Sequence, residues 1–132
     1  MIAQYLSADP GRMAAVLAKR TSNLAKVYTT LRVLERCIEA CEVLAEELGS
    51  EDLEDPLHGH INECIAACEQ LTGACMRQSR FTLQYAELCA AACANLAGAC
   101  EVAPARTALQ CGHRCVDCIA IMRDDFARTI SN

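Results

Sequence analysis

Eleven cysteines recur along this 132-residue chain at spacings that return to one side of an α-helix. Two segments are near copies of each other, CIAACEQLTGAC at residues 64–75 and CAAACANLAGAC at residues 89–100. A third copy, CIEACEVL, begins at Cys37 and has Leu48 where a third cysteine would fall. The last group consists of Cys111, Cys115 and Cys118. Because a helix turns by about 100° per residue, steps of four, seven and eleven residues place each group in one stripe.

The composition favours a single all-helical domain. Apolar residues make up 53% of the chain, aromatic residues only 4%, and tryptophan is absent, so the core must consist of Ala, Leu, Val, Ile and Cys. Small aliphatic side chains of this kind suit close-packed helices. The net charge is −5 and no basic patch with interleaved aromatics occurs, which argues against a nucleic-acid partner. No apolar run is long enough to span a bilayer, which argues against a membrane protein.

The cysteines are expected to be reduced. The N-terminal residues lack the basic start and apolar stretch of a secretory signal, so we expect a cytoplasmic protein. The cysteine count is odd, and neighbours on one helix face lie roughly 5–6 Å apart, whereas a disulfide needs Cβ atoms about 3.8 Å apart. Pairs spaced by four residues therefore suit a bridging metal ion better than a disulfide, although cross-helix disulfides stay open at this point.

Turn and capping residues divide the chain into helices. Asp9 and Pro10 predict a short first helix to about Arg20, either separate from or continuous with a helix that begins at Thr21 and ends before Gly49. Further helices are expected over 56–79, 81–101 and 104–129, with an acidic loop before the first and a turn at 77–80. We therefore predict an all-α, antiparallel up-down four-helix bundle with a short N-terminal helical extension. Residues 1–132 would form one domain, with the extension at 1–21 and the bundle at 22–129.

All four stripes must face the bundle axis, since each is the apolar face of its helix. Distances from the loops predict that Cys41, Cys64, Cys93 and Cys111 share one depth. The next layers would hold Cys37, Cys68, Cys89, Cys115 and Cys118. The far end would be closed by Val33, Leu34, Thr82, Tyr85 and Phe126.

Converging thiol stripes predict a soft-metal site rather than an ordinary core. Structural zinc sites typically use C-x2-C pairs gathered from loops, and iron–sulfur runs are usually tight and loop-borne. Here all four groups open with C-x3-C within a helix. Such pairs suit Cu(I), which accepts thiolate and thioether ligands. Binding of Zn(II) or Cd(II) stays open as an alternative.

The pattern resembles the copper storage proteins, cysteine-lined four-helix bundles once grouped as cysteine-rich domains of unknown function. The resemblance rests on the C-x3-C stripes at 37/41, 64/68, 89/93 and 111/115, and covers about residues 22–129. It implies storage of several Cu(I) ions along the bundle interior and self-association of the bundles. The expected lack of a leader resembles the cytoplasmic branch of this family rather than the exported one.

The candidate ligands include two residues besides the cysteines. His60 lies four residues before Cys64 and is expected on the core face, where it could pass copper to the first thiols; an ordinary helix-start histidine is the alternative. Met122 continues the last stripe, either as a thioether ligand or as a core methionine. His58 is expected to be solvated, His113 to point outward and Met76 to lie off the core face. The cysteine candidates are Cys37, Cys41, Cys64, Cys68, Cys75, Cys89, Cys93, Cys100, Cys111, Cys115 and Cys118.

The remaining functional alternatives are a thiol-based redox or stress sensor and a structural interaction bundle. A sensor needs an exposed, activated cysteine, whereas these stripes are expected to be buried. No phosphate loop, nucleophile elbow or H-E-x-x-H motif occurs, so no enzymatic activity is predicted. The acidic run from Glu46 to Asp55 is expected to be a solvated loop that could attract cations or a basic copper chaperone. Copper would then be taken up at this His60 end of the bundle.

Overall fold

Four antiparallel helices form the structure, a computed structural model that describes residues 10–49 and 55–130. The helices are α1 (Pro10–Leu48), α2 (Pro56–Met76), α3 (Thr82–Val102) and α4 (Ala108–Ile130). Helix α1 packs against α2 and α4, and α3 packs against the same two helices, so the four form a closed up-down ring. No strand occurs in the described parts of the chain. The predicted all-α four-helix bundle is confirmed.

Helix α1 joins the predicted N-terminal extension to the first bundle helix without a break. Its 39 residues make it about 58 Å long at 1.5 Å per residue, nearly twice the length of the 21-residue helices α2 and α3. It ends as predicted at Gly49, whose φ of 70° lies in the left-handed region and whose N–H donates to the Ala45 carbonyl at 3.1 Å. The predicted cap at Asp9 lies outside the described residues.

Helix α2 begins and ends with local hydrogen bonds. The Asp55 carboxylate accepts a hydrogen bond of 2.9 Å from the Leu57 N–H, and Pro56 occupies the first turn. The helix ends at Met76, three residues before the predicted end at Ser79. The predicted reversal occurs there without glycine: Gln78 adopts a φ of 53°, and the Ser79 N–H donates to the Ala74 carbonyl at 2.9 Å.

Helix α4 begins four residues later than predicted, because Pro104 belongs to the loop and not to the helix. Ala103 precedes that proline with an extended ψ of 134°, the conformation that a following proline favours. The N–H groups of Arg106 and Thr107 then donate to the two carboxylate oxygens of Glu47, at 2.7 and 2.8 Å. The Thr107 side chain and these N–H groups hold the pKa of Glu47 below its ordinary value. One exposed carboxylate of the predicted solvated run therefore joins α1 to the start of α4.

Aliphatic layers close the thiol-lined interior at both ends. Near the loop that joins α1 to α2, the buried side chains are Leu44, Leu57, Ile61 and Leu96. At the opposite end they are Leu34, Leu71, Ala86 and Met122. Of the predicted closing residues, Leu34 is buried, while Val33 and Tyr85 pack against the core and are partly buried. The side chain of Phe126 lies outside those described.

None of the described helices combines the length and apolar character that a membrane crossing requires.

We predict that Leu96→Ala destabilises the fold, whereas Leu88→Ala on the same helix does not. Leu96 is fully buried between the thiol layers and the loop end, so its loss leaves a cavity that costs about 2–5 kcal/mol. Leu88 is 59% exposed, and its substitution should change the free energy of unfolding by less than about 0.5 kcal/mol. Urea unfolding of both reduced, metal-free variants measures the difference. Equal values would show that the aliphatic layer does not hold the bundle together.

Candidate metal centre

The centre of the bundle is a layer of four thiols, one from each helix. Cys37, Cys64, Cys93 and Cys115 are all fully buried, and their sulfur atoms lie within 4.8 Å of one another. The Sγ of Cys37 is 3.9 Å from those of Cys64 and Cys115, and the Sγ of Cys64 is 3.7 Å from that of Cys93. Helical periodicity explains the arrangement, because each cysteine lies on the apolar stripe that its helix must bury.

A second layer lies next to the first, toward the turn between α2 and α3. The Sγ atoms of Cys68 and Cys89 are 3.7 Å apart, and the Cys118 thiol donates to the Val33 carbonyl at 3.6 Å. A second set of four sulfurs within 4.8 Å of one another links this layer to the first: Cys37, Cys68, Cys93 and Cys118. Cys37 and Cys93 therefore belong to both sets.

Fewer thiols lie on the other side of the central layer, toward the end of the bundle near Gly49. The Sγ atoms of Cys41 and Cys111 are 3.9 Å apart, and Cys100 is also buried. Gly112 permits close packing of α4 against α3 here, because a Cβ at that position would lie 3.3 Å from the Cβ of Cys100. The thiols thus extend from Cys100 near one end of the bundle to the Cys68 layer.

The structure corrects part of the predicted layering. The pairs Cys41–Cys111 and Cys64–Cys93 lie together as predicted, but Cys37, not Cys41, lies beside Cys64. In the same way Cys115, not Cys111, completes the layer of Cys64 and Cys93. Helices α1 and α4 are therefore both displaced by about one turn, or about 5 Å, relative to α2 and α3. Residue counts from a loop give equal depths only when the packed helices have no axial offset, and these helices are offset.

Cys75 differs from the other ten cysteines because it is only partly buried. It lies in the last turn of α2, where the helix leaves the bundle, and packs against the edge of the core. Leu71 occupies the stripe between Cys68 and Cys75 and is fully buried. The predicted stripe is therefore correct in direction, but its last thiol is less buried than the others.

All eleven cysteines are free thiols. The closest sulfurs are 3.7 Å apart, well beyond the length of about 2.05 Å of a disulfide bond. This geometry is compatible with the expectation of reduced cysteines.

Hydrogen bonds between thiols divide the cluster into groups with opposite pKa shifts. Neighbouring thiols lower the pKa of some cysteines, because a hydrogen bond from S–H stabilises an adjacent thiolate. Hydrogen bonding to neighbours and burial raise the pKa of the others, which keep their protons. The pKa is lowered for Cys37, Cys64, Cys89 and Cys111 and raised for Cys41, Cys68, Cys93, Cys100 and Cys115.

The histidines do not all lie where the sequence predicts. His60 is partly buried, whereas His58, which was expected to be solvated, is only 9% exposed. The Nε2 atom of His58 is buried and has no hydrogen-bond partner. The first turn of α2 therefore buries the flanking histidine more deeply than the one on the stripe. His113 and Met76 are exposed as predicted, and Met122 is buried at the end of the last thiol stripe.

Two residues that shape the site carry only weak signals in the sequence. Glu47 belongs to an acidic run, and nothing in that run marks it as the residue that binds the start of α4. Gly112 stands inside a helix directly after Cys111, and a glycine at such a position often marks a close packing contact. That signal could have predicted the contact with Cys100.

Comparison with known proteins identifies a family. Residues 3–80, more than half of the chain, match the family described as copper storage protein. No curated protein and no solved structure matches the chain. The matched segment includes α2 and the described part of α1, and α3 and α4 repeat its pattern of buried C-x3-C thiols. The chain therefore belongs to the copper storage protein family, which is a family of metal stores and not of enzymes.

Proposed function

We propose that this chain stores several Cu(I) ions on the thiolates of its core. The observation that carries the proposal is the connected cluster of ten buried thiols in a bundle whose ends are closed by aliphatic side chains. Ala, Val or Leu would fill such a core without the risk of oxidation. Cysteine at ten converging positions therefore supports a binding role.

The charge of the core supports a monovalent ion. The buried side chains of the described chain include no lysine or arginine, so several thiolates would repel one another without a counter-charge. Cu(I) binds two or a few soft ligands, and each ion cancels the charge of one thiolate. Ions that share bridging thiolates can therefore approach one positive charge per thiolate. Several such ions can enter with little net charge left in the apolar interior.

The proposed ligands are the eleven cysteines, with contributions at the ends from His60 and Met122. His58 joins them as a candidate, since its Nε2 is buried without a partner. The closest thiol pairs lie between helices, so we propose that copper ions bridge cross-helix neighbours as well as the pairs spaced by four residues. The number of ions follows from how the thiolates are shared.

A redox sensor is supported less well. Such a protein needs an accessible, activated cysteine, and ten of the eleven cysteines are buried. Only Cys75 is partly exposed.

We predict that replacing Cys64 and Cys68 together with serine lowers the number of tightly bound Cu(I) ions without unfolding the bundle. These thiols lie in the two central layers, so ions that depend on either of them should be lost. Anaerobic Cu(I) titration against a chromophoric chelator gives the stoichiometry, and circular dichroism verifies the fold.

Cys75→Ser is the matched control on the same helix, because Cys75 is only partly buried and belongs to neither set of four sulfurs. It should lose at most one ion. A double variant that bound as much copper as the parent protein would show that copper is held elsewhere.

We further propose that copper is taken up at the end of the bundle near Gly49 and Ala103. Cys100 and Cys111 lie nearest that end, and His58 and His60 lie in the first turns of α2 beside them along the axis. Cys100 lies one turn beyond Leu96 and therefore reaches past the aliphatic layer at this end. At the opposite end, Leu34, Leu71 and Met122 stand between the buried thiols and the turn. Copper would pass from a histidine to successive thiolates without being released into solution.

This route predicts slower Cu(I) transfer in His60→Ala and in His58→Ala, with nearly unchanged capacity. The exposed His113 supplies the control, and His113→Ala should transfer copper at the parent rate. Stopped-flow exchange with a chelator measures the rates. Rates that stay at the parent value in both histidine variants but rise in Tyr85→Ala would place uptake at the other end.

Copper binding should also depend on pH. The pKa values of Cys41, Cys68 and Cys93 are raised, so these thiols hold protons at neutral pH, and Cu(I) must displace them. Protons should therefore be released on loading. For each proton displaced per ion, affinity should fall about tenfold per unit of decreasing pH. A titration in weak buffer with a pH indicator counts the protons. Loading without proton release would mean that the thiols are already ionised.

The cellular compartment, the copper donor and self-association are proposed from the family resemblance and from the free thiols. We propose a cytoplasmic protein, because free thiols persist in a reducing compartment. A copper chaperone would deliver the ion, and copies of the single-domain chain would self-associate. Leu109 and Val116, exposed on the outer face of α4, supply apolar surface for such contacts. Sedimentation velocity would test this, and a purely monomeric species would contradict it.

A further inference from the structure

The central thiol layer has the dimensions of a four-coordinate site for a single ion. Three of the six distances among the Sγ atoms of Cys37, Cys64, Cys93 and Cys115 are 3.7–3.9 Å, and all six are within 4.8 Å. A tetrahedral zinc–thiolate site has metal–sulfur bonds of about 2.3 Å, and the edge of that tetrahedron is about 3.8 Å. The measured separations therefore require little movement of the side chains.

Four helices hold the ligands of this layer in place. Each of its four cysteines comes from a different helix, and all four side chains are fully buried. Structural zinc sites are likewise closed, with four protein ligands and no open position. The bundle core thus contains a closed set of four thiol ligands, which zinc domains usually gather from loops.

We propose that the reduced, copper-free protein binds one divalent d¹⁰ ion, zinc or cadmium, tetrahedrally through Cys37, Cys64, Cys93 and Cys115. This function goes beyond copper storage: one ion with four terminal ligands joins all four helices. It does not depend on the copper proposal, since it rests on the geometry of a single layer.

The overlap of the two cysteine sets limits the occupancy to one. The second set shares Cys37 and Cys93 with the first, so two ions cannot each have four ligands of their own. When a thiol unique to the first set is removed, the ion can move to the second set. When a shared thiol is removed, both sets lose a ligand.

Charge makes the divalent ion replaceable by copper. Four thiolates around a divalent ion leave a net charge of −2, and the buried side chains around the layer include no lysine or arginine. An uncompensated buried charge is costly, whereas Cu(I) can neutralise thiolates one by one. The divalent ion would therefore occupy the layer until Cu(I) displaces it.

Anaerobic titration of the reduced full-length chain with Cd²⁺ tests the proposal. We expect one tightly bound equivalent, a thiolate-to-cadmium absorption band and a single ¹¹³Cd NMR resonance in the range typical of four sulfur ligands. Adding Cu(I) should then release the cadmium. A ¹¹³Cd shift typical of two or three sulfurs, or several equivalents that each have four sulfurs, would overturn the proposal.

Matched variants identify the ligands. Cys37→Ser should weaken Cd²⁺ binding at least tenfold and abolish the four-sulfur resonance. Cys41→Ser should change neither, although Cys41 lies one turn away on the same helix and is equally buried. Cys93→Ser, on α3, repeats the test of a shared ligand in case Cys37→Ser does not fold. Cys64→Ser should keep a four-sulfur ion through the second set, whereas Cys64→Ser with Cys68→Ser should lose it.

The control outcome separates this proposal from copper storage. Equal Cd²⁺ binding by the Cys37→Ser and Cys41→Ser variants would overturn the divalent site. Cu(I) capacity in the same two variants should fall by a similar small amount, because copper is shared among many thiolates. If the Cd²⁺ results contradict the four-thiolate site while copper capacity falls with the number of thiols, the divalent site is wrong and copper storage stands.

Discussion

Burial of four thiol stripes along one axis is the constraint on which the rest of the structure depends. Each helix has a single apolar face, and cysteine occupies the centre of that face on all four helices. Folding that buries the face must therefore bring the thiols together. The packing that stabilises the bundle and the assembly of the candidate metal centre are consequently the same event.

A thiol core lacks the bulk of a leucine core, and the aliphatic layers compensate for it. Leu44, Ile61 and Leu96 close one end, while Leu34 and Leu71 close the other. We expect these layers to let the reduced chain fold without metal, in contrast to small zinc domains that require the ion to fold. They also exclude water from the thiols between them. A preformed, dry and adaptable cluster of soft ligands is what a store for several Cu(I) ions needs.

Sequence periodicity predicted most of this architecture because the pattern is repeated and regular. The four helices, the cap at Gly49 and the direction of every cysteine stripe follow from residue spacing alone. The predicted start of α4 was wrong, because proline can occupy a loop as readily as a first helical turn, and the Glu47 contact that fixes the true start lies 59 residues away from Arg106. Contacts of that kind have no local signature.

The sequence also did not predict the positions of the helices relative to one another along the bundle axis. Spacing fixes which face a cysteine occupies, but the shift of α1 by about one turn depends on how the whole bundle packs. That shift brings Cys37 rather than Cys41 into the central layer. The burial of His58 has a similar origin, since it depends on the surroundings of the first turn of α2 and not on the stripe.

The most direct measurement is the position of copper in crystals of the fully loaded protein, located by anomalous scattering at the copper absorption edge. We predict a line of anomalous peaks inside the bundle, between the sulfur atoms of the layers that contain Cys111, Cys64 and Cys89, with every peak within bonding distance of at least one Sγ atom. Peaks confined to surface histidines, methionines or carboxylates, with the core thiols still protonated, would contradict the account.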